Sequence, residues 1–422
     1  MQTRLSRDIL WALGLRIGGA LAWLAYTWAL ARLLPPEALG TTLYALALAG
    51  LLGGLLVAGW AGQILREGAR AMRDLDTPRL AVLLGQGLWQ TLWHGALLAV
   101  ALTACAAVGA LPRLTPAWPI ATLVGGTALA LATLGVLANA LRAQGGLIPA
   151  LTAQGLLRAL LPLAATLGFA TLWPLSFTAI ISLYFGSICL LLPDLLRRLP
   201  RPRWRRVTSG ESQTLRSLWG AQAGGQILAH LDVLVLGWML SPVEAALYLV
   251  ARRCAGLLAL VFDGLRAALA PRLASSFPEP RAFSALSARV NLGFLLIGAG
   301  GAGTLVLAGP FLLPLFGSAF APALPAFLWL VLGQTAPALF GATGMLMVMT
   351  DMERTRARLA WALMPFGTLF LIWGAAGGIT RLAMAAAGLQ LALGAASAIL
   401  LALRHGVLPG ATALLHTRLR LS

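Results

Sequence analysis

Ionisable side chains that interrupt long apolar runs are the residues of this sequence with the clearest chemical potential. A charge inside a hydrocarbon layer costs free energy, so such residues are functional candidates. The apolar run at residues 243–269 contains Tyr248, Arg252, Arg253, Asp263 and Arg266. On an ideal helix all of them except Arg253 share one side, because Arg253 is turned by about 100° from Arg252. We predict that this side lines a polar cavity, with Arg252 a better candidate than Arg253.

Three of these charges have alternative interpretations that need no cavity. Asp263 and Arg266 are spaced i, i+3 and can form an ion pair at the edge of the span. Arg252 lies about 12 Å from the outer end of its helix at 1.5 Å per residue, so its side chain can reach the interface by snorkelling.

A second polar stripe precedes this run. Gln222, Gln226 and His230 are spaced i, i+4, i+8, which predicts one polar helix face that also lines the cavity. His230 suits either a hydrogen bond between helices or a proton carrier. Asp232 lies on a different face of this helix. It precedes the Ser241-Pro242 turn by about as many residues as Arg252 follows it. Asp232 is therefore either a structural ion partner of Arg252 or a carboxylate whose protonation or ion binding drives a conformational cycle.

The first apolar run carries one more candidate. Arg16 lies about two helical turns from the start of the run. It either faces the same cavity or snorkels to the headgroups. Four further polar residues within apolar runs are assigned to helix packing: Arg158, Asn139, Gln63 and Asn291.

The composition shows which elements must position these residues. Hydrophobic residues make up 59% of the chain and charged residues 10%, whereas a soluble domain carries about 25% charged residues. The apolar runs are about 20 residues long, which predicts membrane helices and excludes the alternating strands of a barrel. The sequence is thus typical of an all-α integral membrane protein.

The sequence predicts twelve transmembrane spans. They lie at residues 9–31, 40–62, 82–109, 118–140, 148–171, 174–195, 215–239, 243–269, 288–312, 322–349, 359–378 and 382–403. Pro35-Pro36 and Ser241-Pro242 mark two of the short connections. These spans form two six-helix lobes: an N-terminal lobe at 1–196 and a C-terminal lobe at 215–403. A basic loop at 197–214 joins them, and a tail follows at 404–422.

The arginines predict the orientation of the spans. All 31 basic residues are Arg; 22 of them lie at the two termini or in alternate connections, and only three lie in the other connections. The segment from Arg197 to Arg206 alone holds six. The positive-inside rule therefore places both termini and the central loop in the cytoplasm.

An internal repeat supports the division into two lobes. A shift of 206 residues aligns Gly18-Gly19 with Gly224-Gly225, Pro36 with Pro242 and Arg66 with Arg272, without gaps. Each repeat starts on the same side of the membrane after six crossings. The lobes should therefore be related by a pseudo-two-fold axis along the membrane normal.

Several functions are excluded or disfavoured by the same residues. The net charge of +18 comes from arginines between apolar runs, so nucleic acid is not an expected partner. A chain without lysine cannot form a Walker-A ATPase site. The three cysteines all lie in apolar runs and are expected to be small buried hydrophobic residues. No metal site, cofactor or catalytic carboxylate pair is expected.

Four stretches resemble motifs of a known family. Leu30–Ala49 contains an Arg-Leu-Leu run, an acidic residue and a Gly before the second helix, and His230–Leu257 contains an Asp, the Pro and Glu of a turn, a Tyr and a basic residue. Ala270–Ala274 and Gly341–Arg354 add a Pro-containing helix end and a tenth helix with its loop. On these residues the chain resembles polysaccharide-biosynthesis membrane proteins, the O-antigen-type flippases. It departs from their pattern at Pro35 and at Thr41-Thr42.

The resemblance implies the exporter superfamily that joins multidrug extruders with lipid-linked oligosaccharide flippases. It implies a protein without enzymatic activity that moves a polyprenyl-phosphate- or diphosphate-linked oligosaccharide across the bacterial inner membrane by alternating access, for surface polysaccharide synthesis. Arg16, Arg252 and Arg253 would bind the phosphate, and Asp232 would couple transport to H⁺ or Na⁺. Membrane lipid and other polysaccharide assembly proteins are the further partners expected.

Two alternatives stand beside this interpretation. A cation-coupled drug or metabolite antiporter of the same superfamily should prefer an acidic cavity. A membrane glycosyltransferase or polymerase would need catalytic carboxylates and a large outer loop, whereas the predicted outer loops here are short.

Overall fold

The structure is a computed structural model that describes residues 2–109, 118–205, 209–276, 280–341, 343–350 and 352–405. All regular elements in these ranges are helical. Ten helical segments in them are long and apolar enough to cross a membrane. They coincide with ten of the twelve predicted spans. The other two spans, at 9–31 and 215–239, coincide with helices that are not among these ten. The protein is therefore a multi-pass, all-α membrane protein, as predicted.

The described residues of the first half of the chain form ten α-helices. They are α1 (Gln2–Leu33), α2 (Pro36–Val57), α3 (Trp60–Arg73), α4 (Thr77–Ala107), α5 (Trp118–Ala143), α6 (Leu147–Leu151), α7 (Arg158–Ala170), α8 (Phe177–Arg197), α9 (Ser209–Ala229) and α10 (Leu231–Met239). A π-helical segment, Thr152–Leu157, joins α6 to α7.

In the second half, the residues that the structure describes form eight α-helices. They are α11 (Pro242–Ala255), α12 (Leu257–Ser276), α13 (Pro280–Leu312), α14 (Leu324–Gln334), α15 (Ala336–Phe340), α16 (Thr343–Met349), α17 (Glu353–Ala375) and α18 (Ile379–His405). Two 3₁₀ segments, Pro314–Phe316 and Ser318–Ala323, lie between α13 and α14. Pro36 and Pro242, one pair of the sequence repeat, each begin a helix.

The chain forms two compact units, Met1–Ala246 and Leu247–Ser422. The first unit includes α9 and α10. The predicted lobe boundaries at 196 and 215, the lobe symmetry and the cytoplasmic placement of the termini stay predictions. Residues 206–208 of the central loop and 406–422 of the tail lie outside the described residues.

Helix α5 forms the centre of the first unit. Every residue from 130 to 141 of this helix is buried, because α2, α4 and α8 pack around it. Small residues permit this close packing. The backbone of Gly53 in α2 lies beside the carbonyl of Ala128, and that of Gly125 lies beside Ala99 of α4.

The second unit has a core of aliphatic and aromatic side chains. Phe262 of α12 stacks on Phe294 of α13 with ring centroids 5.5 Å apart. Gly298 of α13 lies against Ala338 and the Phe262 ring, which a larger residue would displace. The helices around this core also carry Leu346, Met347 and Leu401 as buried residues.

A glycine contact places α1 against the π-helical segment. A side chain at Gly19 would bring its Cβ to 2.8 Å from the Gly155 carbonyl carbon, so the two backbones approach as only glycine allows. Gly14 lies on the same helix, and a Cβ there would meet nothing within 4 Å.

We expect Gly19→Ala to destabilise the protein by about 1–3 kcal/mol, because the new methyl group would force α1 away from Gly155. Gly14→Ala is the matched control and should leave stability unchanged or raise it slightly, since Ala favours helix more than Gly. Thermal unfolding of both variants in detergent measures the difference. Equal melting temperatures for the two variants would contradict this account of the α1 contact.

Candidate functional site

Two arginines of the first unit lie close together within the membrane-spanning part. Arg16 projects from α1, and Arg142 lies in the last turn of α5, where the helix dipole favours a cation. Arg16 is exposed, and its charge lies within electrostatic range of Arg142. Together with Arg158 of α7, they are called the arginine site below.

Neutral oxygen atoms hold the Arg142 guanidinium in place. Its Nη2 donates to Gln154 Oε1, and its Nη1 lies 3.4 Å from Asn139 Oδ1. Asn139 is itself oriented, because its Nδ2 donates to the Gly135 carbonyl at 2.8 Å. The Arg142 Nε is buried, and no hydrogen-bond partner lies near it among the described residues. The site therefore retains a donor that a bound anion could satisfy.

The π-helical segment positions Gln154 for this contact. A π-helical turn carries one extra residue, and such turns are frequent at functional sites. The segment is fixed from the other side by α1, through the Gly19 and Gly155 contact. One packing contact thus positions both Arg16 and the side chain that binds Arg142.

Arg158 extends the positive charge along α1. Its Nε donates to the Tyr184 hydroxyl at 3.2 Å, and its guanidinium carbon lies 5.5 Å from the centre of the Trp23 ring. Trp23 also contacts Tyr184, with ring centroids 5.8 Å apart. Arg16 and Trp23 are seven residues apart on α1, so they share a helix face about 10 Å apart.

This arrangement suits the binding of anions. Guanidinium groups present a fork of donors that matches phosphate, and they stay charged at any physiological pH. Two such groups side by side repel each other in the absence of a ligand, and an anion between them removes that repulsion. A polar site on a helix face that also carries aromatic rings can hold a charged group beside an apolar chain.

Gln222 and Gln226 lie against α2. The helix from α2 to α3 breaks at Gly59, whose φ is 82°. Gln222 Oε1 accepts from the Gly59 N–H at 3.0 Å, and Trp219 Nε1 donates to the Leu55 carbonyl at 3.0 Å. The Gln226 side chain lies beside the backbone of Gly54. These contacts satisfy the broken helix, and a cavity-lining role for Gln222 and Gln226 stays a prediction.

The stripe predicted through Gln222, Gln226 and His230 does not lie on one continuous helix, and the cavity-lining role of His230 stays a prediction. The helix is interrupted at His230, which has φ −122° and separates α9 from α10. The ring Nδ1 lies 3.0 Å from the Gln226 carbonyl oxygen, so this hydrogen bond is made within the span. Asp232, in the first turn of α10, is 5% exposed. Its role in ion coupling stays a prediction.

The candidates of the second unit are only partly clarified. Tyr248 is fully buried, and Arg252 and Arg253 are both half-buried, so burial does not distinguish the two arginines. A turn at Gly256 separates α11 from α12. The common face predicted from Tyr248 to Arg266 crosses this turn, and its cavity-lining role stays a prediction.

Asp263 and Arg266 form the ion pair that was one of the two sequence interpretations. Arg266 Nη1 lies 2.6 Å from Asp263 Oδ1. Arg356 of α17 lies within electrostatic range of Arg266 and Glu353, and its guanidinium lies beside Gly344 of α16.

The expectation for the cysteines is wrong for Cys105, which is exposed, and correct for the buried Cys254.

Sequence reasoning missed most of the arginine site. Arg142 was counted only as a mark of orientation, and Asn139 and Arg158 were assigned to helix packing. Gln154 carried no signal, because a π-helical turn has no distinct sequence pattern. Arg142 lies just outside the predicted span 118–140, three residues after Asn139, and this i, i+3 spacing is the signal that could have indicated their contact.

Known structures share this architecture. The inward-facing conformation of a multidrug resistance MATE family transporter of the MOP superfamily has a TM-score of 0.65 at 15% identity, covering 95% of this chain and 98% of its own. The outward-facing conformation of a transporter described in the same words has a TM-score of 0.62 at 14% identity, covering 95% of this chain and 96% of its own. A MATE structure in complex with MaL6 has a TM-score of 0.64 at 14% identity, with coverages of 95% and 96%.

This chain has the MATE-like fold. That fold has twelve helices in two lobes, which confirms the fold class expected from the sequence. No protein-family model and no curated protein matches the sequence. At identities of 14 and 15%, the similarity to these transporters shows the fold alone.

Arg16→Gln should reduce the thermal stabilisation that inorganic diphosphate gives the purified protein. The variant removes one of two guanidinium groups that would share the anion, and it also removes the repulsion of Arg142 in the free protein. Its melting temperature without diphosphate should therefore be equal to or above that of the wild type. Arg32→Gln, at the other end of α1, is the control of equal charge. A diphosphate shift as large as in the wild type would remove Arg16 from the site.

Proposed function

We propose that this protein is a membrane transporter that works by alternating access. The proposal is supported by the MATE-like fold, for which similar structures have been described in inward-facing and outward-facing conformations. Such a cycle needs no ATP site, and a chain without lysine contains no P-loop. The fold is that of transporters, so we propose a function without covalent catalysis.

The proposed cargo is a polyprenyl-phosphate- or diphosphate-linked oligosaccharide. The observation that carries this proposal is the arginine site, where Arg16 and Arg142 repel each other and the buried Arg142 Nε has no partner among the described residues. A phosphate or diphosphate would satisfy that donor and remove the repulsion. Arg252 and Arg253 would bind the same group at another stage of the cycle.

The resemblance of Leu30–Ala49 and His230–Leu257 to O-antigen-type flippases supports the same cargo. The aromatic rings of Trp23 and Tyr184 beside Arg158 suit a sugar or an isoprenoid chain next to the phosphate. In this proposal the protein acts in a bacterial inner membrane and delivers its cargo to other polysaccharide assembly proteins.

A cation-coupled drug antiporter is the second candidate. Similar structures are described as multidrug resistance transporters, and the buried carboxylate of Asp232 suits the binding of a proton or Na⁺. Against this candidate, the arginine site would repel cationic drugs. The positive charges of Arg16 and Arg142 would therefore favour the anionic cargo of the first proposal and disfavour the cationic cargo of the second.

We expect Arg16→Gln and Arg142→Gln each to slow flipping of a fluorescent polyprenyl-diphosphate-linked sugar by about tenfold or more, since each loses charge-assisted hydrogen bonds to the diphosphate. The assay uses purified protein in liposomes with a membrane-impermeant quencher. In the native operon host, the same variants should lower surface polysaccharide at normal protein levels.

Arg73→Gln, an exposed arginine at the end of α3, is the matched control and should flip at the wild-type rate. Flipping by both site variants at that rate would refute the arginine site as the cargo site. Efflux of a cationic dye by the wild type, without flipping of the lipid-linked sugar, would instead establish the antiporter.

Asp232→Asn tests the coupling role separately. If Asp232 binds the driving ion, an imposed H⁺ or Na⁺ gradient should accelerate transport by the wild type, and this acceleration should disappear in the variant because the amide cannot ionise. Transport without a gradient should continue. A full gradient response in Asp232→Asn would make Asp232 a structural residue only.

A further inference from the structure

The central arginine-rich loop is docked on α4. The Arg203 N–H donates to the Ala81 carbonyl at 2.9 Å, and the backbone of Arg203 passes where Gly85 has no side chain. The Trp204 ring meets Trp89 edge-on, with centroids 6.1 Å apart. These three contacts give the loop a fixed path over α4, which a purely topological role of its arginines would not require.

The docked loop helps to form a cavity with an excess of positive charge. The cavity has a volume of about 780 Å³. Its charged lining residues are Arg66, Glu67, Arg70, Asp76, Arg79 and Arg205. Among the lining residues that the structure describes, four are arginines and two are carboxylates. This space is called the basic cavity below.

Both carboxylates are already engaged by arginines. Glu67 pairs with Arg70 at 2.6 Å and with Arg79 at 2.9 Å. Asp76 Oδ1 accepts from the Arg79 backbone N–H at 3.0 Å. The acids therefore hold part of the basic lining in place, and a lining with more guanidinium than carboxylate groups among the described residues favours an anion of low molecular mass.

A buried amide adds a second, independent feature. Gln63 also lines the basic cavity, and it is only 8% exposed. Its Oε1 is buried and has no hydrogen-bond partner among the described residues. Because a buried polar atom without a partner costs free energy, a ligand that donates a hydroxyl group would be favoured here. The cavity thus suits a ligand with both a phosphate and a hydroxyl group.

An apolar cavity lies one helical turn farther along the same helices. Its volume is about 420 Å³, and its lining is largely leucine and tryptophan. On α3, Trp60 lines the apolar cavity and Gln63 lines the basic cavity. On α4, Gln90 lines the apolar cavity and Gln86 lines the basic cavity. The nearest lining residues of the two cavities are therefore separated by roughly 4.5–6 Å along α3 and α4, so one lipid could extend from the basic cavity into the apolar cavity.

We propose that the two cavities bind one membrane phospholipid with an anionic, hydroxyl-bearing headgroup of the phosphatidylglycerol type. The phosphate lies among Arg66 and Arg205, the headgroup hydroxyl donates to Gln63, and the start of an acyl chain lies beside Trp60 in the apolar cavity. The central loop forms one wall of the headgroup site. This lipid site is separate from the arginine site and does not depend on which cargo is transported.

The test is native mass spectrometry of the full-length protein in detergent, titrated with phosphatidylglycerol, phosphatidylcholine or glycerol 3-phosphate. The wild type should bind phosphatidylglycerol more tightly than both others. Arg66→Gln and Arg205→Gln should each weaken phosphatidylglycerol binding about tenfold, through the loss of charge-assisted hydrogen bonds. Both residues are exposed, so neither substitution threatens folding.

Two matched variants separate this site from the rest of the protein. Arg201→Gln removes a charge from the same loop at an exposed position that does not line the cavity, and Arg16→Gln removes one from the arginine site; both should bind the lipid as the wild type does. Gly85→Ala should weaken binding without any change of charge, because its methyl group would displace Arg203.

Three results would overturn the proposal. Wild-type affinity in both Arg66→Gln and Arg205→Gln would show that the basic cavity does not bind the lipid. Equal affinities for glycerol 3-phosphate and phosphatidylglycerol would show a site for soluble phosphate compounds, with no role for the apolar cavity. Loss of binding in Arg16→Gln alone would assign the lipid to the arginine site instead.

Discussion

The constraint on which this structure depends is that polar groups within a lipid bilayer must find their partners inside the protein. The break between α2 and α3 shows how the chain meets it. A helix that stops at Gly59 leaves backbone donors and acceptors without helical partners, and Gln222 and Trp219 bind the Gly59 N–H and the Leu55 carbonyl. Helix α9 is therefore tied to α2 by polar bonds, which explains why it belongs to the first compact unit.

The same constraint determines which contacts the arginines of the first unit must make. A guanidinium group has five donors and cannot shed its charge, so each buried arginine needs several acceptors. Arg142 finds two in Gln154 and Asn139, and Arg158 uses Tyr184 and the Trp23 ring. These contacts leave the Arg142 Nε without a hydrogen-bond partner among the described residues, and they do not offset the charge of the neighbouring Arg16. An anionic cargo would compensate both at once.

The two proposed anion sites differ in how their charges are held in place. The arginine site lies between packed helices, and its charges are held by neutral oxygens and aromatic rings. The basic cavity lies beneath the central loop, and its charges are partly balanced by Glu67 and Asp76. A site that must release its ligand during transport benefits from residual repulsion, whereas a site balanced by carboxylates can retain a lipid through the cycle.

The sequence by itself determined the all-α membrane class, the twelve spans and the helix starts at Pro36 and Pro242, because hydropathy and proline act locally along the chain. It also contained the Asp263 and Arg266 pair, since i, i+3 spacing needs no tertiary information. Only the tertiary structure decided that Arg142 meets Gln154, that His230 interrupts its helix and that the central loop lies on α4. Those features arise from helix breaks and from contacts between distant segments, for which a periodic pattern carries no signal.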